Sequence, residues 1–422
     1  MKKETFMSGT IMKNQFDVVI IGGGPGGSLL ALILAQQGLQ VALVEKQKQL
    51  ERSFRGETVA ASSVRILDQL GLLNRIAEKG YLTVEGMAMM DKGQTIFTLD
   101  YDAFPGPFKR AIDLPQPHLL SVLLDEASKF QNFTYLNGCA FESLIHDDSQ
   151  RVVGVEVSSE RGELRQLFAK QVVASDGRYS KVRKAAGIQA QLKPVERDII
   201  WFKLPRPKDW NDRGKLLLKG SSHVFIIPTW PDFLRVGLNI PKGGFQQLRK
   251  RGIEAFVADV VSIAPEIAPL VRAHVRSWKD VTLLDVFVAS VDQWAIDGLL
   301  LIGDASHTVS PILGQGVNLA IQDAFVLGPL LTRLLRSGST ISTHDFAAYV
   351  AERKKHKTIV TNYQLKQEQN LAAHGWAATI RHYKMRLFDR LPIKYKALDR
   401  VLNYPATDAI ARLAVSGSGQ AV

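Results

Sequence analysis

From Phe16 the chain runs through a short β-branched stretch, 17–21, and then meets Gly22, Gly23, Gly24, Gly26 and Gly27 before apolar residues resume at helical spacing. That pattern predicts a strand, a tight turn and a helix, and a second aliphatic run at 40–44 predicts another strand ending at Glu45. Val64, Leu67 and Leu70 then recur on one helical face, with Gly71 placed to end it. Residues 81–101 alternate irregularly around Asp91, Lys92 and Gly93 and read as strands with a hairpin. Pro115 and Pro117 lead into a helix through Leu119, Leu120, Leu123, Leu124 and Ala127, and a β-meander is expected over 134–144, 152–157 and 164–173.

The rhythm changes after Lys193. Apolar and aromatic runs at 198–204, 223–228 and 233–241 are punctuated by Pro and Gly, with one helix expected at 245–258 and a long strand at 280–288. These predict a mostly antiparallel sheet forming a separate domain. An apolar strand at 299–302 follows, then Gly303-Asp304-Ala305-Ser306-His307, a loop with Pro311 and Gly314-Gln315-Gly316, and a helix from Val317 and Asn318 onward. Beyond Gly328 the pattern is helical and increasingly basic, densest at Arg353-Lys354-Lys355-His356-Lys357. Trp376, Ile380, Tyr383, Leu387 and Leu391 form a stripe at helical spacing flanked by Arg381, Lys384, Arg386 and Arg390, and Pro392 is placed to end that helix. The stripe reads first as a face packed on the core, with contact to a membrane surface as the other reading.

The opening unit carries the first chemistry. Strand, glycine turn, helix, second strand and terminal acid together make a βαβ unit of the Rossmann kind. Gly22 allows the sharp turn, Gly24 lets backbone approach a pyrophosphate, and Gly27 lets the helix pack on the strand. Pro25 and Gly26 lie in the same turn, and the helix N-terminus can hold phosphates through free N–H groups. Glu45, with Lys46 after it, is placed to accept from a ribose hydroxyl. Arg55 is placed to reach back to the pyrophosphate with a guanidinium fork. A second strand-to-helix junction carries Asp176, Gly177, Ser180 and Arg183; by itself Asp-Gly is a turn signal and Ser180 a helix cap. At the third, backbone N–H groups around Gly316, Val317 and Asn318 can stabilise negative charge on a ligand.

A length of 422 residues suits two interleaved domains, and 46% hydrophobic with 22% charged residues is a globular composition. No apolar run is long enough to span a bilayer, and residues 1–15 lack the apolar core of a secretory signal, reading instead as a flexible lead-in. Residues 416–422 read as a frayed end. The single Cys139 excludes an internal disulfide and a multi-cysteine metal site, fits the cytoplasm, and reads as a buried apolar filler; no metal is expected. The net charge of +12 suits anionic cofactors, substrates or membranes without choosing among them, and no nucleic-acid motif accompanies it.

Three stretches together, Gly22-x-Gly24-x-x-Gly27 with Glu45, Asp176-Gly177-x-x-Ser180-x-x-Arg183, and Gly303-Asp304 through Pro311, Gly314-Gln315-Gly316 and Asn318, resemble the class A flavoprotein monooxygenases of the para-hydroxybenzoate hydroxylase type. The resemblance covers nearly the whole chain. It implies an α/β fold in which a Rossmann-type FAD-binding domain (16–80, 105–192 and 292–345) interleaves with a mostly antiparallel substrate domain (81–104 and 193–291). A helical basic region, 346–422, follows. It implies non-covalent FAD, with Glu45 toward the adenosine ribose, Arg55 toward the pyrophosphate, Gln116 and Asp304 toward the ribityl chain, and Gly316 to Asn318 facing the flavin pyrimidine edge. Where the usual pattern has arginines beside Gln116, this chain has Pro117 and His118. Asp176 and Arg183 resemble the motif that serves both FAD and the nicotinamide cofactor, and Pro311 the wall beside the reacting flavin position.

What the family implies is hydroxylation of a small aromatic or polyketide-like substrate through a flavin C4a-hydroperoxide, using NADPH or NADH and O2. No side chain need carry the oxygen transfer, and His307 reads as a packed, hydrogen-bonded residue. Trp201, Phe225, Thr229 and Arg235 are the substrate candidates, from the sheet expected to face the flavin. Halogenation or reduction on the same scaffold is the alternative. The halogenase Trp-x-Trp-x-Ile-Pro order is absent, Ile226-Ile227-Pro228-Thr229-Trp230 being a different one. A peripheral membrane-binding flavoprotein without turnover is the alternative from another class, and both monomer and homodimer remain open.

Overall fold

Five parallel strands lie side by side in the order Leu299–Leu301, Leu164–Ala174, Gln15–Ile21, Val41–Glu45 and Phe133–Asn137. Their centres are continuous apolar runs buried on both faces: Val18, Val19, Ile20, Val41, Ala42 and Leu43 are fully buried, and Phe141, Val155 and Val157 of the antiparallel meander share their core. The glycine-loop helix Pro25–Gln36 packs on the helices Gln116–Ala127 and Gln315–Arg336. Its approach to the latter is close enough that a Cβ on Gly328 would stand 2.5 Å from Ile33 Cγ2. The computed structural model describes residues 14–50 and 57–403; the lead-in through residue 13, Arg55 and the end at 416–422 lie outside the described residues.

A second sheet has seven strands in the order Thr282–Leu284, Arg197–Pro205, Phe233–Pro241, Ser222–Thr229, Arg213–Lys219, Gly86–Asp91 and Gln94–Asp100. All its pairings are antiparallel except that of Arg213–Lys219 with Gly86–Asp91. The hairpin at 81–101 turns where expected, with Lys92 at φ 51° and Gly93 at φ 75°. Two small sheets stitch the large ones together. One pairs Thr58–Val59, Ala111–Asp113 and Leu82–Val84; the other pairs Ala190–Lys193, Val288–Val291 and His307–Thr308.

Several expected elements divide. The 134–144 strand is two: Phe133–Asn137 joins the parallel sheet, and after Gly138, at φ 68°, Ala140–His146 pairs antiparallel with Val152–Ser158. The 245–258 helix is Phe245–Lys250 and Ile253–Ile263, interrupted at Gly252, whose φ of 88° is not helical. The 280–288 strand is Thr282–Leu284 and Val288–Val291, which belong to different sheets; between them Val286 N donates to Asp198 Oδ1 at 3.0 Å. The carboxy-terminal helices are Ala347–Ala372, Gly375–Asp389 and Ile393–Leu402, the last two separated at Pro392 as expected. One expectation for them is overturned: the Trp376 to Leu391 stripe is exposed rather than packed on the core. Arg353, His356 and Lys357 of the basic run are buried.

Candidate functional site

The first βα turn is as tight as its glycines allow. A Cβ on Gly22, at φ 107°, would meet Ser175 O at 2.4 Å, and one on Gly27 would meet Gly22 O at 2.0 Å. A Cβ on Gly24 would meet nothing within 4 Å, because this glycine opens onto a cavity. Gly24 caps the Pro25–Gln36 helix without a side-chain bond, and no acid occupies its first turn, so its N-terminus offers positive potential to a ligand. Buried Glu45 stands beside it, accepting from Gly23 N at 2.8 Å and Gln47 N at 2.9 Å.

At the second junction Ser180 caps a short helix, its Oγ accepting from Arg183 N at 2.9 Å, while Asp176 accepts from Val182 N at 3.1 Å. Burial raises the Asp176 pKa against the lowering effect of the Ser180 and backbone donors. Arg183 turns away from the cavity and donates to Ala305 O at 2.8 Å, bracing the third junction; burial lowers its pKa. Its neighbour Arg178 reaches Asp304 Oδ2 at 3.4 Å.

The third junction is held from behind by the Ala347–Ala372 helix. Gly303 N donates to Asp323 Oδ2 at 2.8 Å, and Lys357 Nζ donates to the same oxygen at 2.6 Å and to Ser306 Oγ at 3.0 Å. Arg353 Nε donates to Asp323 Oδ1 at 2.6 Å. Burial alone would raise the Asp323 pKa, but the Lys357 and Arg353 charges hold it below the usual carboxylate value; burial lowers that of Lys357 despite Asp323. Farther along, Gln364 accepts from Ser310 N at 3.1 Å and donates to Ser310 O at 2.9 Å and Ile312 O at 2.7 Å. These bonds fix a loop in which Leu313, at φ 62°, and Gly314, at φ 61°, are both left-handed. For Leu this costs of order 1–3 kcal/mol, which the surrounding clamp must offset.

That geometry frees the start of the Gln315–Arg336 helix. Its N-cap Gly314 has no side-chain bond, no acid follows in the first turn, and Gly316 has open space where a Cβ would be. Asn318 lies behind the wall and clamps it, donating to Thr58 O at 3.1 Å and Gly314 O at 3.0 Å and accepting from Ala60 N at 2.8 Å.

One cavity of about 1220 Å³ joins these parts. Its wall brings together Gly22, Gly24, Pro25, Gly26, Glu45, Lys46, Gln116, Asp176, Gly303, Asp304, Pro311, Gly314, Gly316 and Val317. It does not include Gly27, Arg183, Asn318 or Thr229, whose work is packing or bracing. From the second sheet come Trp201, Phe225 and Arg235, the two rings stacked with centroids 6.4 Å apart. Arg235 is paired with Glu57 at 3.0 Å and Asp113 at 3.1 Å, so its charge is already countered within the fold. Burial raises the Asp113 pKa against the pull of Arg235. Thr229 corrects the substrate expectation: it is fully buried and donates to Asp113 rather than facing the cavity.

The sequence reading named neither the apolar wall from Met87, Met89, Phe97 and Leu99 nor the one from Tyr363, Met385 and Phe388, and it missed the bracing residues Asp323, Arg353, Lys357 and Gln364. Cys139 is half-buried, packed against the core and also lining the cavity, and burial raises its pKa. His307 is buried, bonded to Thr361 Oγ1 at 2.8 Å, and held to a pKa of about 3 by burial and by Lys357.

Residues 15–363 match the family model described as FAD binding domain. The chain is 36% identical over 387 residues to a 6-methylpretetramide 4-monooxygenase from Streptomyces rimosus, covering 91% of each chain. Among solved structures it resembles PqsL, a probable FAD-dependent monooxygenase from Pseudomonas aeruginosa, with TM-score 0.76 at 23% identity over 88% of this chain and 99% of that one. It also resembles the flavin-dependent brominase Bmp2, with TM-score 0.75 at 19% identity over 96% of this chain and 98% of that one. At those identities the structures establish the fold alone. The family match and the relative that aligns nearly end to end establish more: this chain belongs to the FAD binding domain family, as a flavoprotein of the monooxygenase type.

Proposed function

We propose that the protein hydroxylates an aromatic or polyketide-like substrate, with NADH or NADPH as reductant and dioxygen as oxidant. The observation that carries this reading is the continuity of the cavity: two uncapped helix N-termini and an aromatic, methionine-rich wall share one space. Its volume exceeds the roughly 300–1,000 Å³ of an ordinary small-ligand pocket, as a site for cofactor and substrate together requires. The relative's printed substrate, a pretetramide, is of the proposed class.

The residues present fit FAD. Glu45 would take the adenosine ribose, the start of the Pro25–Gln36 helix the pyrophosphate, Asp304 and Gln116 the ribityl chain, and the backbone of Gly314 to Val317 the pyrimidine edge. When bound, FAD supplies the redox chemistry with the nicotinamide and activates dioxygen. The chain's own contributions are positional and electrostatic. With FAD bound, the uncapped N-terminus of the Gln315–Arg336 helix would favour negative charge at the pyrimidine edge. Ile312 and Leu313, with the apolar sheet wall, exclude water from the reacting region. Tyr101 and Tyr363 line the cavity with pKa values raised to about 12 by burial, so they remain neutral hydroxyls. Asp176 and Arg178, which line the cavity, would serve the nicotinamide approach, with Arg183 bracing the junction behind them.

The test is a screen of phenols and polycyclic polyketide aromatics for stimulated NAD(P)H oxidation by the purified flavoprotein, with product masses measured. A product heavier by one oxygen atom is expected. A halide-dependent product would instead assign the alternative halogenase chemistry, and stimulated oxidation that yields only peroxide for every aromatic would reject hydroxylation.

A further inference from the structure

The outward face of the Gly375–Asp389 helix is apolar. Trp376, Ile380, Tyr383 and Leu387 recur at helical spacing in one narrow stripe, and they are 78%, 41%, 67% and 63% exposed. Leu391 and Ile393 extend the stripe past the helix end. Six of the twelve exposed large apolar side chains among the described residues therefore fall in this one stretch, which is clustering rather than ordinary scatter.

The helix is not loosely seated. On its inner side Arg381 donates to Asn370 O at 3.1 Å and Gly220 O at 3.2 Å, His382 pairs with Asp91 at 3.1 Å, and Met385 and Phe388 wall the cavity. Beside the stripe on the same stretch of chain Lys384, Arg386 and Arg390 are exposed, as are Lys396 and Arg400 on the following helix. Of the acids in the stretch, Asp389 is taken up by Lys394 at 2.7 Å and Thr98 N at 2.8 Å, and Asp399, which accepts from Asn403 at 3.2 Å, is outnumbered by the exposed cations.

We propose that this face docks the protein on an anionic lipid surface. A single outer helix presents a ridge, which a fluid interface accommodates and a folded partner would have to match with a groove. Trp and Tyr within an apolar stripe, with Lys and Arg flanking it, match what a headgroup layer receives: rings and aliphatic chains at the acyl boundary, cations at the phosphates. Each Lys or Arg near such a surface strengthens binding roughly fivefold. Docking does not depend on the hydroxylase reading. Its consequence does: a substrate dissolved in the bilayer would lie one helix from the cavity wall at Met385 and Phe388.

The test is co-sedimentation of the full-length flavoprotein, without substrate, with vesicles of phosphatidylcholine alone or mixed with phosphatidylglycerol. Binding is expected only to the mixed vesicles and should weaken as salt rises. Trp376→Glu with Leu387→Glu, and separately Arg386→Glu with Arg390→Glu, should each weaken it roughly tenfold or more while flavin absorbance and melting stay unchanged. Absence of wild-type binding at low salt, or equal binding by both folded variants, would overturn the proposal. So would a homodimer in light scattering that the Trp376→Glu, Leu387→Glu variant dissolves, since that assigns the face to a second copy.

Discussion

Two neighbouring helices near the carboxy terminus invert what their sequences advertise. Ala347–Ala372 carries the densest basic run, yet Arg353 is 1% exposed and Lys357 not at all. Gly375–Asp389 carries the most regular apolar stripe and turns it outward. The difference lies in the partners that the rest of the fold supplies. Asp323 and the carbonyls of Leu319 and Gly303 give the cations of the first helix a complete set of acceptors, so burial is tolerated. On the second helix the inner face is taken by polar anchors and cavity-lining residues, leaving the stripe without a place inside. The first helix thus braces the cavity from behind, and the second forms a boundary between the cavity and its surroundings.

Removing the counter-ion should break the first half of this contrast most severely. Asp323→Ala leaves two buried cations together and should cost about 3–5 kcal/mol, read as a lowered melting temperature with loss of bound flavin. A melting temperature equal to that of a surface control would mean that the cluster braces nothing. The buried histidines come next. His223 and His307 are held to about 3 and His356 to about 2, in each case first by burial and then by neighbouring cations. Their folded pKa values lie below the ordinary value near 6.5, so the unfolded chain binds more protons over that window. Stability should therefore fall as pH drops from about 6.5 toward 3, by roughly 1.4 kcal/mol per pH unit for each histidine, with no effect above it. His307→Gln should make the measured slope of unfolding free energy against pH shallower; an unchanged slope would show that His307 is not kept neutral.

A smaller effect is expected where Ala347–Ala372 meets the Pro311 loop. Gln364→Ala strands the Ser310 and Ile312 carbonyls, costing about 1–3 kcal/mol, and should raise the peroxide released per nicotinamide oxidised, because Leu313 is no longer held in its left-handed conformation. Unaltered coupling would remove the loop from the account of water exclusion. The smallest effect belongs to the exposed stripe. Leu387→Glu should alter unfolding free energy by no more than about 0.5 kcal/mol, and a larger loss in denaturant titration would mean that the stripe is packed after all.

How much the sequence disclosed follows from how local each signal is. The βαβ unit was legible because strand period, glycine turn and terminal acid are contiguous, and Gly22, Gly24 and Gly27 perform the separate steric tasks their spacing implies. Gly303, Asp304 and Gly314 were legible for the same reason. Arg183 and Asn318 were found, but the motif does not reveal that their side chains brace the wall from behind. Gln364, Lys357 and Asp323 act across long sequence separations and carry no local pattern, so only folding brings them to the loops they hold. The same applies to the inner and outer faces of the Gly375–Asp389 helix, because periodicity shows that a helix has an apolar face without showing which way it turns.

The central claim is that this cavity uses bound FAD to transfer one atom of dioxygen to an aromatic substrate. It is tested most directly by a turnover of the purified flavoprotein with NAD(P)H under heavy-oxygen dioxygen, using a substrate that stimulates nicotinamide oxidation. The account predicts a single heavy oxygen atom in the product. A product whose new oxygen comes from water, or one that gains no oxygen while nicotinamide is consumed, would contradict it.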